Sequence, residues 1–508
     1  MNKLGLLLVL GSLSLLAACG SSSGNNSGTI TSVSVSCTPS TIASGQTSQC
    51  SASVNGTGNF SSSVSWSSSP ASAGSITSSG LFSALFVTAS MVATVTATST
   101  QDSTKSGTFS VTVNPTATGS NVAPLIVDAG PDPANFTSAN VAFVTVTVCV
   151  PGTSNCQTID HVQVDTGSSG LRILSSVLTL PLPAENDSLG NPLDECLVFA
   201  DGFVWGPIVT ADITVGGEKA SDAPVQVLIP GSASPPVPNS CSSQNPQGGA
   251  GNEGGSVDTF GANAIIGVGL FQPDCGEYCV TSSNNCNSTL TAPCIYYDCP
   301  PSGCSPTLAT LTQQVPNPVA EFPADNNGVL IQLQSVGDGG TLTASGNLIF
   351  GIGTESNNAL GGATVYPVPD SGSNAGDLIT TFNGQAYSQS FLDSGSNGYF
   401  FADSSIPTCA SPLQDWYCPA TSPDNLSATN QGQNTSGPVG SPVTVDFSIE
   451  NTDNLFNTNN TAFSTLAGPV PSSLNGFDWG LSFFFGKNVF TAIDNASTPG
   501  GTGPYFAY

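Results

Sequence analysis

Basic side chains are almost missing from this chain. Its 508 residues hold five lysines and arginines against 33 aspartates and glutamates, with a single histidine. Lys3, Lys105, Arg172, Lys219 and Lys487 are the whole cationic set. Almost nothing could neutralise phosphates, so nucleic-acid binding is excluded. The lone His161 leaves no histidine cluster for a metal, and no metal is expected. A Ser-His-Asp triad would have to use His161 beside Asp165 on the same strand, which counts against one. Long 3.6-period segments are missing, which argues against a helical fold. No second long apolar run follows the N-terminus, so no spanning helix is expected in the body. The acid excess has two readings. One is a plain secreted surface of Ser, Thr, Asn and Gly. The other is acid tolerance: with so few bases, protonating the carboxylates adds little positive charge to repel the fold.

What is present begins with Lys3 and the apolar run Leu4 to Leu16, shorter than the ~20 residues a membrane span needs. It ends in Leu16-Ala17-Ala18-Cys19, which resembles the lipobox of bacterial lipoproteins. The resemblance implies a signal peptide over 1–18, cleavage before Cys19 and lipid on that cysteine. The alternative is ordinary cleavage after Ala18 that leaves a free thiol. Gly at position 20 implies the outer membrane rather than the inner one, and Ser/Gly/Asn residues make 19–29 a flexible tether. Fifteen cysteines in an exported chain mean disulfides. Setting Cys19 aside leaves an even number. Cys149 and Cys156 bracket the Pro151-Gly152 turn, Cys409 and Cys418 close a short loop, and Cys196 is placed to reach Cys241. The six between Cys275 and Cys304 allow fifteen pairings.

The rest reads as all-β. Val, Thr, Phe and Ile alternate in short runs between Gly, Pro, Asn and Ser clusters. Residues 30–114 form a first unit, with half-buried strands at Val33 to Cys37, Val64 to Ser67 and Phe109 to Val113. With Gly74-Ser75-Ile76 and Gly80-Leu81-Phe82 after the Trp66 strand, it resembles bacterial immunoglobulin-like domains. That resemblance implies a small β-sandwich bridged by Cys37 and Cys50, a spacer or adhesive unit. Residues 115–122, with Pro115 and Gly119, read as a linker.

Two Asp-[Thr/Ser]-Gly-Ser motifs follow, Val164-Asp165-Thr166-Gly167-Ser168 and Leu392-Asp393-Ser394-Gly395-Ser396. Each sits between extended segments, although a turn aspartate satisfied locally would give the same letters. Context adds to them. A strand-turn-strand over 140–165 precedes the first motif, and Phe199 to Gly206 with Ile208 to Val215 reads as a hairpin. Ala264-Ile265-Ile266-Gly267 is a hydrophobic-hydrophobic-Gly segment. Gly346 to Gly351 and Gly361 to Val368 open a second half, and Gly480 to Asp494 reads as its last strands. In this order the chain resembles the pepsin-like aspartic proteases. As a whole it is also similar to a bacterial lipoprotein family without an assigned function. The resemblance implies a bilobal double β-barrel, with a first lobe over 123–340, a Cys-rich insertion at 275–304 and a second lobe over 341–508.

It also implies chemistry. Asp165 and Asp393 would share a cleft and one proton, since like charges so close cannot both ionise cheaply. Thr166 and Ser394 would lock the two loops, Ser168 and Ser396 would bond the outer carboxylate oxygens, and Gly167 and Gly395 would admit close backbone approach. Phe199 and Gly202 fall in the flap, where the family usually has a tyrosine. Arg172 stands where a tryptophan often partners that tyrosine. It is either a surface residue snorkelling over the sheet or a substrate-binding or dyad-tuning cation. No cofactor is implied. Two functions stand: a membrane-tethered aspartic endopeptidase acting on peptides or proteins, and an inactive pepsin-like envelope binding or adhesion lipoprotein.

The anchor is tested by Cys19→Ser. Stable anchoring takes more than one acyl chain, and the variant has no thiol to carry any. It should move from the membrane pellet to the soluble fraction, and persistence in the pellet refutes lipidation at Cys19.

Overall fold

A computed structural model describes residues 28–43, 47–70, 73–84, 90–114, 121–187, 189–199, 202–230, 236–242, 256–281, 295–470 and 476–508. The signal peptide, Cys19, residues 115–120 of the expected linker, flap positions 200–201, and Cys286 and Cys294 lie outside the described residues. The chain forms two units, Met1–Pro115 and Thr116–Tyr508. No described helix is long and apolar enough to cross a membrane.

In the first unit the strands alternate as their sequences demand. Along Met91–Ser99, Ala93, Val95 and Ala97 are buried while Val92 is exposed, because successive side chains leave a strand on opposite faces. One sheet runs Thr29–Thr38, Thr47–Thr57, Leu81–Ala84, Gly74–Ile76. The other runs Thr41–Ala43, Ser106–Asn114, Met91–Ser99, Val64–Ser69. A single cluster takes Cys37, Cys50 and Phe82 from the first sheet and Val95, Val111 and Val113 from the second, so the two pack face to face as a sandwich. Cys37 lies opposite Cys50 in register and is bonded to it.

The second unit is built on one sheet of fifteen strands and another of seven. Its joint is the strand Val122–Val127, which pairs with Ala142–Cys149 on one side and Ala344–Phe350 on the other. Beyond that, Gly328–Leu333, Asn488–Ala492 and Tyr505–Ala507 continue the antiparallel ladder. Three expectations are corrected here. Val122, expected in the linker, opens the joining strand, and Asn121 is buried, with its amide bonded to Phe350 O. Gly328–Leu333, expected in the first lobe, pairs only with strands of the second half. Within the expected last strands, Leu481–Phe484 is a short helix whose four side chains are all buried. Its side chains, Ser482 among them, are buried on every side, so period-2 reading fails on it. The expected bonds Cys149–Cys156, Cys196–Cys241 and Cys409–Cys418 form, and the insertion holds Cys275–Cys279 and Cys299–Cys304.

A second tie between the halves is Asn140, fully buried with φ of 53°. Its Nδ2 donates to Asn397 O and Phe463 O, both at 2.7 Å, and to Ser482 Oγ at 3.1 Å. Its Oδ1 accepts from Phe463 N at 2.6 Å. Asparagine tolerates the left-handed region better than most residues, so one side chain meets a backbone need and a bonding need together. Asn140→Ala strands buried partners and strains the backbone, and should destabilise the second unit by about 3 kcal/mol or more. Asn140→Gly relieves the strain and should recover about 1 kcal/mol of that. Urea midpoints at constant slope measure both; a wild-type midpoint for Asn140→Ala shows that the tie is dispensable.

Candidate active site

Each Asp motif is held by a strand threaded between its two flanks. In the first half Cys156–Asp165 runs parallel to Ala264–Val268, with Asp165 opposite Gly267. Ser169–Leu174 returns antiparallel along the other side of the same strand. The second half repeats this. Gln385–Leu392 runs parallel to Asp478–Trp479, and Tyr399–Phe400 lies antiparallel to it. The two turns 165–169 and 393–398 are thus copies of one motif. The hydrophobic-hydrophobic-Gly segment of the first half was legible in sequence. Its counterpart, Phe477-Asp478-Trp479-Gly480, was missed because an aspartate interrupts the apolar pattern.

The turns meet nose to nose. Thr166 N donates to Ser394 Oγ at 3.1 Å, and Ser394 N donates to Thr166 Oγ1 at 2.9 Å. Each hydroxyl then donates across, Thr166 Oγ1 to Leu392 O at 3.2 Å and Ser394 Oγ to Val164 O at 2.8 Å. Both residues are buried. Gly167 N donates to Asp165 Oδ1 at 2.7 Å, and Gly395 N to Asp393 Oδ1 at 2.8 Å. Ser168 Oγ bonds Asp165 Oδ2, and Ser396 Oγ bonds Asp393 Oδ2 at 3.0 Å. A Cβ on Gly167 would stand 2.8 Å from the Asp393 carboxyl, and one on Gly395 would stand 2.6 Å from Asp165 Oδ1. Only glycine lets each turn lie against the opposite carboxylate.

Burial pushes the Asp393 carboxyl well above the usual carboxylate range. The charges of Asp165 and Asp478 and a hydrogen bond shared with Asp165 push it the same way. Two carboxyls in hydrogen-bonding contact hold a proton between them, and that proton belongs to the pair. Asp478 is the third acid here, buried and held at about 8, by burial first and then by the Asp165 charge, against a hydrogen bond shared with Ser396.

The other expected residues fall elsewhere. Phe199 N donates to Gly202 O at 2.8 Å, closing the hairpin of Leu193–Val198 and Phe203–Val215. The Phe199 side chain packs with Leu174, Val204 and Leu228. Arg172 is neither a surface residue nor open to a ligand: it is fully buried. Its Nη2 pairs with Glu195 Oε1 at 2.8 Å and Asp274 Oδ2 at 3.0 Å, and its Nη1 donates to Ser169 O. Tyr296 Oη donates to Asp274 Oδ1 at 2.8 Å. A charge this deep is tolerated only when paired and hydrogen-bonded; here two carboxylates share it, while its Nε has no partner. It ties the strand after the first Asp turn to the flap strand and to the neck of the Cys-rich insertion. His161 lies against Asp160 and Asp128, at 3.0 and 3.4 Å, and not against Asp165. The Asp128 hydrogen bond, opposed by burial, raises its pKa.

A family model described as a protein of unknown function (DUF3443) matches residues 117–508. No curated protein matches the sequence. Among solved structures, the aspartic proteinase from Irpex lacteus is similar at 14% identity with a TM-score of 0.43, covering 76% of this chain and 96% of that one. So distant a likeness carries nothing about activity.

The interlock predicts a sharp contrast. Thr166→Val keeps the shape but leaves Ser394 N and Leu392 O without partners, which should cost about 2–4 kcal/mol. Thr166→Ser keeps the hydroxyl and should cost about 1 kcal/mol. Paired with Ser394→Ala in a double-mutant cycle, the valine variant should be strongly non-additive. Additive losses measured by denaturant unfolding refute a reciprocal lock.

Proposed function

We propose that this chain, which belongs to the DUF3443 family of proteins of unknown function, is an aspartic endopeptidase carried on a lipid anchor at Cys19. The observation that carries the reading is the pair of Asp turns locked face to face by Thr166 and Ser394, with Asp165 and Asp393 in contact. A monoprotonated pair of this kind can polarise a water. The ionised carboxyl takes a proton from the water while the protonated one donates to the peptide carbonyl oxygen. The hydroxide oxygen bonds to the carbonyl carbon, giving a tetrahedral gem-diol. Proton return to the amide nitrogen then breaks the C–N bond and releases an acid and an amine. The backbone N–H groups of Gly167 and Gly395 and the hydroxyls of Ser168 and Ser396 orient the carboxyl oxygens, so little reorganisation accompanies the reaction.

A pepsin-like binding lipoprotein without turnover is the second reading. Phe199 favours it, since a flap phenylalanine packs but has no hydroxyl to donate.

Digestion of unfolded protein from roughly pH 2 to neutrality separates the two. The endopeptidase reading expects a bell-shaped rate on the acid side of neutrality. Asp165→Asn and Asp393→Asn should each abolish cleavage, and the double variant should lose no more than either alone. A statine-type transition-state analogue should raise the melting temperature of the wild type. Absence of cleavage sensitive to both substitutions, together with no thermal shift, leaves the binding reading.

A further inference from the structure

The aspartate that interrupts the second threading strand stands where no structural need calls for one. By register, Leu392 lies opposite Trp479 and Phe391 opposite Asp478, while in the first half Asp165 lies opposite Gly267 and Gln163 opposite Ile265. Asp478 therefore matches Ile265, an apolar residue. Its strand is held to the second Asp turn by Asp393 N donating to Trp479 O at 3.2 Å, Gly480 N to Gly398 O at 3.1 Å and Leu481 N to Ser396 O at 2.7 Å. That places the Asp478 carboxyl within reach of the Ser396 hydroxyl, which also bonds Asp393 Oδ2.

Among the described residues, no base is paired with it. Asp478 Oδ1 is buried and has no hydrogen-bond partner. Among the described residues, the titratable groups that interact with it are Asp393 and Asp165, both acids, and Phe400, which has no charge, lies opposite it in the neighbouring strand. The cations of the second unit are engaged elsewhere. Arg172 is held by Glu195 and Asp274, Lys219 pairs with Asp212, and Lys487 lies over the Phe483 ring and donates to Phe483 O. His161 is held by Asp128 and Asp160. A buried carboxylate so placed is far costlier than a buried carboxylic acid.

We propose that Asp478 is a third carboxyl of the site, kept protonated, which donates to the Ser396 hydroxyl and so turns that hydroxyl's own hydrogen onto Asp393 Oδ2. It is a positioning residue that acts through Ser396, and its place in a reaction rests on the endopeptidase reading. A serine hydroxyl has one hydrogen and can rotate between two acceptors. While Asp478 is a donor the rotor has one choice. Once Asp478 ionises, it competes for that hydrogen and adds negative charge beside the Asp pair.

Two measurements on the full chain test this, and only one depends on catalysis. A carboxyl whose pKa is raised in the fold keeps its proton after the unfolded chain has lost it. Stability is then complete at low pH and declines between the ordinary carboxylate range and about 8. The folding constant should fall by up to about tenfold per pH unit for this one proton. Asp194 and Asp377, also raised, contribute to wild type and variant alike, while Asp393 feels the Asp478 charge, so the difference between wild type and Asp478→Asn reads the Asp478 proton together with its coupling to Asp393. Equal pH slopes in the two proteins overturn the proposal. If Asp478→Asn does not fold, infrared titration of carboxyl-labelled aspartate in the wild type decides, and no protonated aspartate at neutral pH overturns it. For positioning, Asp478→Leu removes the donor and should lower kcat/KM about five- to tenfold on the acid side. Asp478→Asn still donates and should recover part of that loss; equal losses in both variants overturn the positioning role. A wild type that cleaves nothing sinks the endopeptidase reading while the pH slopes still test the proton on Asp478.

Discussion

Everything at the centre of this protein depends on an exchange of two hydroxyls. Thr166 and Ser394 each fill the other turn's backbone donor and reach past it to the carbonyl of the preceding strand. The exchange brings two acidic turns, far apart in sequence, closer than their charges would allow unaided. Desolvation strengthens these bonds and makes losing any one expensive, since the stranded groups cannot reach water. Around them the fold supplies only rigidity. The strand Val122–Val127 joins sheet to sheet, and Asn140 pins the first half to the backbone of the second.

The second constraint is the scarcity of cations. A buried carboxyl can be neutralised by a base, satisfied by hydrogen bonds or left with its proton, and this chain rarely has the first option. Where it does, one base can serve two acids. Arg172 serves Glu195 and Asp274 together, and burial still pushes Asp274 well up, with the Glu195 charge adding. Despite burial, Lys219 and two backbone N–H groups hold Asp212 low. Elsewhere the proton stays: burial lifts Asp194 and Asp377 to about 7 and Asp478 to about 8. Each raised carboxyl makes the fold lose stability as pH climbs from the ordinary carboxylate range toward neutrality. The interior therefore favours acid, which is also the side on which a proton-sharing aspartate pair would work.

Much of this was legible in one sequence because it was written in local terms. Alternating Val and Thr between Gly, Pro and Asn announced strands, and the repeated Asp-[Thr/Ser]-Gly-Ser announced two equivalent turns. The motif is local, so the resemblance to the pepsin-like proteases could assign expected roles to the hydroxyls and glycines beside each aspartate. Cys149 and Cys156 bracket a turn that brings them together, as do Cys409 and Cys418. The tertiary structure alone decided what depends on neighbours remote in sequence. Arg172 carries no mark of burial, and only the arrival of Glu195 and Asp274 from other segments makes it an interior ion. Leu481–Phe484 is buried on every side, with Ser482 satisfied by Phe463 O and Leu466 O, so the surrounding core and not its periodicity chose a helical turn. Asp478 drew no notice in the sequence; threading its strand between the flanks of the second turn made it a neighbour of Ser396 and Asp393. Sequence states a residue's chemistry, but the energy of a charge depends on what surrounds it, and packing alone sets that.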